Sequence, residues 1–409
     1  MTILLWILGL LFFLVVLAIS IGLHEGGHMV VAKAFKLSVP KFFIGFGKTL
    51  WSFKTKKTHY GVKLLPIGGF VTIQDDSVEK PDLTELEQKL ENPEISDKER
   101  KGIQKEIRKK NDSYIAQSGL LSNVAPWKRI LIYLAGPAVN LVLGIAIIYG
   151  VLLGFNSLVI NNTVEEVNAC STVGQYQSCE AEKAGIQAGD KILAVDGVRY
   201  DAIDDFAPAL QGKESVDLIV ERDGKEIEIT SGVFNNYLGV NLTPEYRSLT
   251  IGESTDTIIN VMEQSIISIA KLPEKMPGVV DQTFTGGERD PEAPSSVVHA
   301  GKNYGDTAAN IEIPPVNKLQ ILLTYSGILN VSLGLINLIP ILTLLDGGKI
   351  SIAVIDQFKI WGSKISRRKY KPLGEWEITV MTVVSAVFVF MFMGMLILSD
   401  VVNIFRGQI

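Results

Sequence analysis

Four long apolar segments without a charged residue constrain this chain more than any other feature of its sequence. They run from Ile3 to about Leu23, from Ile130 to about Ile160, from about Leu319 to Leu345, and from Ile378 to about Leu398. Each has about twenty residues or more, the length that a helix needs to cross a hydrocarbon core. Of the 409 residues 47% are hydrophobic and 20% are charged, a balance between a soluble protein and one wholly in lipid. We therefore expect a polytopic α-helical membrane protein with about four transmembrane helices.

The motif His24-Glu25-Gly26-Gly27-His28 follows the first apolar segment. That segment has no small-residue cleavage site, so we expect it to remain as a helix rather than to be removed as a signal peptide. Residues four apart share one face of a helix, so the two imidazoles can bind one metal ion. We predict His24 and His28 as zinc ligands and Glu25 as the general base that takes a proton from the attacking water. The alternative is that His24 and Glu25 only mark the membrane boundary of a signal anchor.

Asp346 is the candidate third ligand. A zinc ion bound by two histidines needs a further protein ligand, and the two cysteines, Cys170 and Cys179, form no CxxC pair. The third apolar segment ends in Leu345-Asp346-Gly347-Gly348, and Pro340 can unwind its end toward the metal. The first and third segments cross in the same direction, so their ends reach the same membrane depth. A helix cap is the alternative role for Asp346.

Lysine and arginine predict the orientation in the membrane. They cluster between Lys33 and Arg129 and again in the link before the fourth segment, and both stretches should face the cytoplasm. The metal site then lies near the cytoplasmic side of the membrane, and the region between the second and third segments lies outside. Cys170 and Cys179 fall in that outer region, where a disulfide and two unpaired thiols are both possible.

The regions between the apolar segments differ in composition. Short apolar runs interrupted by glycine predict β-hairpins from Pro40 to Ile73, where a strand edge near the membrane could pair with an extended substrate; a small packed sheet without a substrate role is the alternative. Asp75 to about Gly119 is polar and suggests solvated helices or partial disorder. Thr257 to Leu272 predicts an amphipathic helix on the outer membrane surface, and Pro273 to Pro315 predicts a loop. We expect His59 and His299 at the surface.

A β-rich unit lies between the second and third segments. Its sequence from Ala184 to Gly197, Ala-Gly-Ile-Gln-Ala-Gly-Asp-Lys-Ile-Leu-Ala-Val-Asp-Gly, predicts a short helix, a turn and a strand that ends in a second turn. This string resembles a PDZ domain. The resemblance implies binding of chain ends or extended segments by strand addition, whereas a steric gate that limits substrate size is the alternative.

Taken together, the motifs resemble the site-2 protease family of intramembrane zinc metalloproteases, in its bacterial regulator-of-sigma-E branch. The matching stretches are His24 to His28, Pro66 to Phe70, Gly136 to Asn140, Asn337 to Pro340 and Leu345 to Gly348. Two departures stand out: Leu342 replaces a second proline, and the spacing from Asn337 to Asp346 is one residue longer than usual.

The resemblance implies zinc ligands His24, His28 and Asp346, with Glu25 as the base. It also implies cleavage within a transmembrane helix of a single-span protein, such as an anti-sigma factor or a signal-peptide remnant. The candidate substrate-binding residues are Asn337, Asn140, Gly68 and Gly69. The alternative function is a non-catalytic membrane adaptor with a PDZ-like binding module. The resemblance to the bacterial branch implies a location in the bacterial inner membrane. The expected partners are single-span membrane proteins and the lipid bilayer, and no basic block suggests nucleic acid.

The expected organisation divides the chain into nine parts. These are the first transmembrane helix (1–35), a membrane-associated β-hairpin region (36–74), a polar cytoplasmic insertion (75–127), the second transmembrane helix (128–160), a PDZ-like domain (161–245), an outer amphipathic helix and loop (246–316), the third transmembrane helix with the Asp ligand (317–350), a cytoplasmic link (351–376) and the fourth transmembrane helix (377–409).

Overall fold

A computed structural model of the chain describes residues 2–74, 79, 81–91, 95–119, 121, 124–170, 179–199, 207–286, 294, 296–366 and 375–407. The chain divides into two compact units. The first comprises Met1–Val151 with Thr255–Ile409, and the second comprises Leu152–Ser254.

The elements follow one another along the chain as helices α1–α11 and strands β1–β8. The helices are α1 Thr2–Ala34, α2 Thr84–Glu91, α3 Asp97–Gly119, α4 Pro126–Gly154, α5 Glu180–Ala184, α6 Ile251–Ala270, α7 Leu272–Thr285, α8 Val297–Ala309, α9 Pro315–Asn337, α10 Asp346–Ser366 and α11 Glu375–Arg406. The strands are β1 Ser38–Lys54, β2 His59–Gln74, β3 Ser157–Val167, β4 Lys191–Val195, β5 Val198–Arg199, β6 Ser215–Arg222, β7 Lys225–Gly232 and β8 Val240–Arg247.

Four helices among the described residues are long and apolar enough to cross a membrane, namely α1, α4, α9 and α11. This confirms the expectation of a polytopic helical membrane protein. Two predicted spans, however, extend too far. α4 ends at Gly154, and the residues after it form strand β3 instead of continuing the helix to Ile160. β-branched residues such as Val159, Thr163 and Val164 favour the strand.

The third predicted span was also too long. α9 ends at Asn337, whereas the apolar pattern suggested a helix as far as Leu345. A residue before proline avoids the helical conformation, so Pro340 disfavours helix at Ile339. Asp346 therefore does not belong to this helix. It is the first residue of α10, which occupies most of the expected link between the third and fourth spans.

Strands β1 and β2 form the expected β region after α1. β1 pairs with β2 twice, because residues 41–44 face residues 69–72 on one side and residues 59–62 on the other. Residues 49–54 of β1 pair with residues 59–63 of β2. Residues 41–44 therefore lie in the middle of this small sheet, and residues 69–74 form one of its edges.

The segment from Pro273 to Pro315 was expected to be a loop, but it contains helices α7 and α8. Pro273 lies at the start of α7, where its missing N–H costs no hydrogen bond. The Ser296 hydroxyl accepts from the Val298 N–H and caps α8. α8 approaches α1 closely, since a Cβ on Gly9 would lie 2.7 Å from the Ala308 Cβ. The Trp6 indole N–H also donates to Asp306 Oδ1 over 2.9 Å.

The second unit is a β-rich domain built on one sheet. Its strand order is β7-β6-β4-β3-β8, and β5 pairs with β4. Its core consists of buried aliphatic side chains, among them Val164, Ile192, Val195, Leu218 and Val220. Cys170 and Cys179 form a disulfide in this unit, so the disulfide alternative is the one observed.

Candidate metal centre

Helix α1 brings the two histidines of the motif to one buried face. His24 is 8% exposed and His28 is 5% exposed, and α1 runs without a break from Thr2 to Ala34. Because four residues make about one helical turn, the two imidazoles lie one above the other. The Nε2 atoms of the two rings are 3.2 Å apart.

Asp346 reaches the same point from a distant part of the chain. α9 ends at Asn337, and eight non-helical residues lead back to the start of α10. This return is tight, because a Cβ on Gly347 would lie 2.6 Å from the Ile339 carbonyl oxygen. The Leu344 N–H donates to the Ser385 hydroxyl over 3.1 Å, which ties the return to α11. As a result, the Asp346 carboxylate is buried next to the histidines, at 5% exposure.

The three side chains converge on one small volume. Asp346 Oδ2 lies 3.0 Å from His24 Nε2 and 3.1 Å from His28 Nε2. Ligand atoms at about 2.0–2.1 Å from a tetrahedral zinc ion are separated by about 3.3 Å. The observed separations are close to that value. The group is the His/Cys/Asp/Glu cluster that can hold a metal ion among the described residues, and its two nitrogens and one oxygen are donors that zinc accepts.

The hydrogen bond on the far side of His28 supports this interpretation. His28 Nδ1 lies 2.7 Å from the Ile132 carbonyl oxygen. A carbonyl can only accept, so Nδ1 carries the proton. In the neutral ring Nε2 is then a bare lone pair, directed at the Asp346 carboxylate and at His24 Nε2. This lone pair is available to a metal ion, and metal-bound histidines commonly donate their other N–H to a carbonyl.

Glycine on α4 leaves room for the two imidazoles. A Cβ on Gly136 would lie 2.6 Å from His28 Cε1 and 2.8 Å from His24 Nε2. On the other side of the same contact, a Cβ on Gly27 would lie 2.6 Å from the Ala135 carbonyl oxygen. The two helices therefore pack at backbone distance. This close packing brings the Ile132 carbonyl to His28.

One ion pair within α10 and one between α10 and α4 position the Asp346 carboxylate. Lys349 Nζ lies 3.2 Å from Asp346 Oδ1, the carboxylate oxygen that does not face the histidines. One end of α4 is joined to α10 by a buried pair, in which Arg129 Nη2 donates to Asp356 Oδ2 over 2.8 Å. Both partners are nearly inaccessible to solvent. Together these contacts fix the direction in which Asp346 points.

Glu25 lies beside the edge of the β1–β2 sheet. A Cβ on Gly69 would lie 3.0 Å from Glu25 Cγ and 3.0 Å from the Phe43 carbonyl oxygen. The neighbouring Gly68 packs against the ring of Phe46. The candidate base and the two candidate substrate-binding glycines are therefore neighbours, with strand residues 69–74 passing next to the Glu25 side chain.

The two candidate asparagines are farther from the chemistry. Asn140 is buried at 1% exposure, one helical turn beyond Gly136 on α4, and its Oδ1 has no hydrogen-bond partner among the described residues. Asn337 is the last residue of α9, and its amide donates to the Leu333 carbonyl of its own helix over 3.0 Å. Asn140 thus follows Gly136 by one turn on α4, and the hydrogen bond that the Asn337 amide makes is to its own helix.

Several residues of the centre were not apparent from the sequence. The Ile132 carbonyl is a backbone group, and no sequence pattern indicates its partner. The pair of Arg129 and Asp356 joins residues that are 227 positions apart. Lys349 could have been found, because it stands three residues after Asp346 and such pairs meet on a helix.

Comparison with known proteins adds an independent finding. The profile of Peptidase family M50 matches residues 12–392. The chain is 29% identical to zinc metalloprotease Rip1 of Mycobacterium tuberculosis, over 98% of this chain and 99% of that protein. It is 28% identical to zinc metalloprotease Rip1 of Mycolicibacterium smegmatis, over 86% of each. The similarity thus covers the two histidines, Glu25 and Asp346.

Proposed function

Because the chain belongs to Peptidase family M50, we propose that it is an intramembrane endopeptidase that cleaves transmembrane segments of single-span membrane proteins. Family membership confirms the expectation of a membrane zinc metalloprotease of the site-2 type over the adaptor alternative. The observation that carries the proposal is the convergence of His24, His28 and Asp346 at the buried end of a membrane-crossing helix.

In the proposed mechanism His24, His28 and Asp346 hold the zinc ion. When bound, zinc supplies Lewis acidity, which makes water a nucleophile near neutral pH and polarises a peptide carbonyl. The Glu25 carboxylate accepts a proton from the attacking water and delivers it to the leaving amide nitrogen. The Ile132 carbonyl keeps the His28 proton on Nδ1, and Lys349 keeps Oδ2 of Asp346 directed toward the histidines.

A peptide bond inside a helix is shielded by its own hydrogen bonds, so the substrate must be extended where it is cut. The edge formed by residues 69–74 passes next to Glu25, and an extended chain can add to such an edge through backbone hydrogen bonds. We therefore assign Gly68 and Gly69 to substrate binding. Their missing side chains let this edge pack against Phe46 and Glu25, so a substrate backbone added to the edge would lie near the candidate base. Asn140 and Asn337 stay candidates for substrate contact.

The second unit is proposed to be a PDZ-like binding module outside the cytoplasm. Gly185 ends α5 in the left-handed conformation, and Asp196 and Gly197 form the turn after β4 with positive φ, as the sequence from Ala184 to Gly197 predicts. β8 is an end strand of its sheet, which suits strand addition. The disulfide between Cys170 and Cys179 supports a location in an oxidising compartment.

The substrate class is the finer part of the proposal. Anti-sigma factors and signal-peptide remnants are both single-span segments of the required kind, and the resemblance to the regulator-of-sigma-E branch favours them. A single catalytic centre buried at the end of α1 is accessible to a helix that arrives from the lipid, rather than to a folded soluble protein.

The test uses purified full-length protein and a panel of single-span membrane peptides, with and without a chelator, and identifies the products by mass. The proposal predicts cuts within the apolar part of at least one peptide, and their loss with the chelator. Glu25→Gln should bind zinc like the native protein and cut nothing. Glu228→Gln, an exposed change in the second unit, is the control and should cut normally. Full activity of Glu25→Gln would contradict the assigned role.

A further inference from the structure

Helix α10 has a buried face and an exposed apolar face. One face carries the buried residues Ile352, Ala353 and Asp356. The other carries Phe358, Trp361 and Ile365, which are 61%, 53% and 85% exposed. The rings of Phe358 and Trp361 lie edge to face with centroids 5.5 Å apart, so they form one continuous patch. A helix whose outward face is this apolar is not suited to water.

The direction of the exposed face is fixed by the rest of the unit. Asp356, on the buried face, pairs with Arg129 of α4 at 2.8 Å. Phe358 and Ile365 are seven residues apart, about two helical turns, and Trp361 lies between them on the same side. The patch therefore points away from α4, and α10 cannot turn to bury it without breaking a buried ion pair.

The helices before and after α10 can both span the membrane. The helix that precedes it, α9, and the helix that follows it, α11, are both long and apolar enough to span the bilayer. Since consecutive spans leave and re-enter through the same surface, α10 lies at one membrane surface. The twenty-one residues of α10 measure about 31 Å as a helix, which is long enough to lie along that surface.

The charges of α10 indicate the kind of lipid. Its two acidic residues, Asp346 and Asp356, are buried and paired with Lys349 and Arg129. Its exposed charges are Lys359 and Lys364, so the charge it presents outward is positive. Aromatic residues with flanking lysines are typical of helices at the boundary between headgroups and acyl chains, and lysines there attract anionic headgroups.

We propose that Phe358, Trp361 and Ile365 of α10 bind the headgroup boundary of a leaflet that contains anionic lipid, with Lys359 and Lys364 contacting the headgroups. Asp346 is the first residue of the same helix. Lipid binding therefore holds the element that supplies the third candidate zinc ligand. This second statement rests on the proposed function, whereas the lipid contact itself does not.

The test labels single positions on α10 of the full-length protein with an environment-sensitive fluorophore in lipid nanodiscs. Both native cysteines are in the disulfide, so one introduced cysteine is labelled alone. The variants are Phe358→Cys, Trp361→Cys and Ile365→Cys, with Lys225→Cys and Glu228→Cys, at exposed positions of β7 in the second unit, as controls. Lipids brominated near the headgroup end of the acyl chain act as quenchers. The proposal predicts strong quenching at the first three positions and weak quenching at the two controls.

The lipid composition tests the charge argument. Quenching at position 358 should increase when phosphatidylcholine is replaced in part by phosphatidylglycerol. Lys359→Gln and Lys364→Gln should each weaken that preference by about fivefold. Equal quenching at all five positions would overturn the proposal. So would energy transfer between labels on two copies of the chain, since that shows that a second copy covers the patch. Neither quenching nor energy transfer requires proteolysis. If the protein proved not to be a protease, the lipid contact would therefore still be tested.

The link to the metal centre has its own readout. The double change Phe358→Ser with Trp361→Ser should lower the affinity for zinc in nanodiscs while α-helix content stays native. Phe388→Ser with Phe390→Ser, on α11, is the matched control for the loss of two exposed aromatic rings from a membrane helix. Unchanged zinc affinity in the α10 variant would refute the link between lipid binding and Asp346, whatever the quenching shows.

Discussion

Replacing Gly136 by alanine tests the geometry of the centre most sharply. The added methyl group would lie 2.6 Å from His28 Cε1 and 2.8 Å from His24 Nε2. Ordinary carbon contacts are about 3.5 Å or longer, so the His28 ring has to move by about 0.9 Å. The hydrogen bond to the Ile132 carbonyl opposes this movement. Zinc sites tolerate ligand displacements of only about 0.2 Å.

We expect Gly136→Ala to lower zinc affinity by at least about a hundredfold, the upper end of the effect of changing groups that orient metal ligands. The substitution should not destabilise helix α4 itself, because alanine is a better helix former than glycine by about 0.5–1 kcal/mol. The assay is zinc bound per chain during competition with a calibrated chelator, with circular dichroism as the check on folding.

Gly150→Ala is the matched control, because it lies on the same helix α4 and no atom stands within 4 Å of its Cβ position. It should bind zinc like the native protein. Native zinc affinity in Gly136→Ala would refute the conclusion that the two imidazoles and α4 are packed at backbone distance around a metal.

Three further predictions concern the support of the centre and the second unit. Arg129→Met should lower the free energy of unfolding by about 3–5 kcal/mol, because it leaves Asp356 buried without its partner, and adding Asp356→Leu should recover most of the loss in thermal unfolding experiments. Gly69→Ala should reduce turnover more than zinc binding, since its methyl group would press on Glu25 Cγ at 3.0 Å, whereas Gly26→Ala, with open space at its Cβ, should have little effect on metal binding. Arg247 and the Thr250 N–H hold the pKa of Glu253 at about 2, below its ordinary 4.5, so this carboxylate stabilises the start of α6 above pH 4.5, and the effect is lost as the pH falls toward 2. The protection factors for hydrogen exchange in the first turn of α6 should therefore fall over that range, and Glu253→Gln should remove this pH dependence; an identical pH profile in the variant would contradict the assignment.

The features that could be predicted from the sequence are those that depend on residues close together in the chain. An apolar run of about twenty residues indicates a span wherever it occurs. The four-residue spacing of His24 and His28 is sufficient to predict a shared face. Asp346 was accessible to the same reasoning, because a carboxylate at the end of an apolar segment needs a partner.

The remaining features depend on contacts between distant residues. The apolar pattern continues from Asn337 to Leu345, so it could not show that α9 stops and that α10 begins at Asp346. Proline and glycine between Pro273 and Pro315 suggested a loop, yet Pro273 starts a helix and the small residues of α8 allow it to pack on α1. The charged residues Arg129 and Asp356 gain their roles only when α4 and α10 meet.

The central claim is that two imidazoles and one distant carboxylate bind a single zinc ion, and X-ray absorption at the zinc edge of the purified protein tests it most directly. We predict one zinc ion per chain with only nitrogen and oxygen neighbours at about 2.0–2.1 Å, and scattering from two imidazole rings. Asp346→Ala should change the first shell and reduce the zinc content. A sulfur neighbour, a single imidazole, or a spectrum that Asp346→Ala leaves unchanged would contradict the claim.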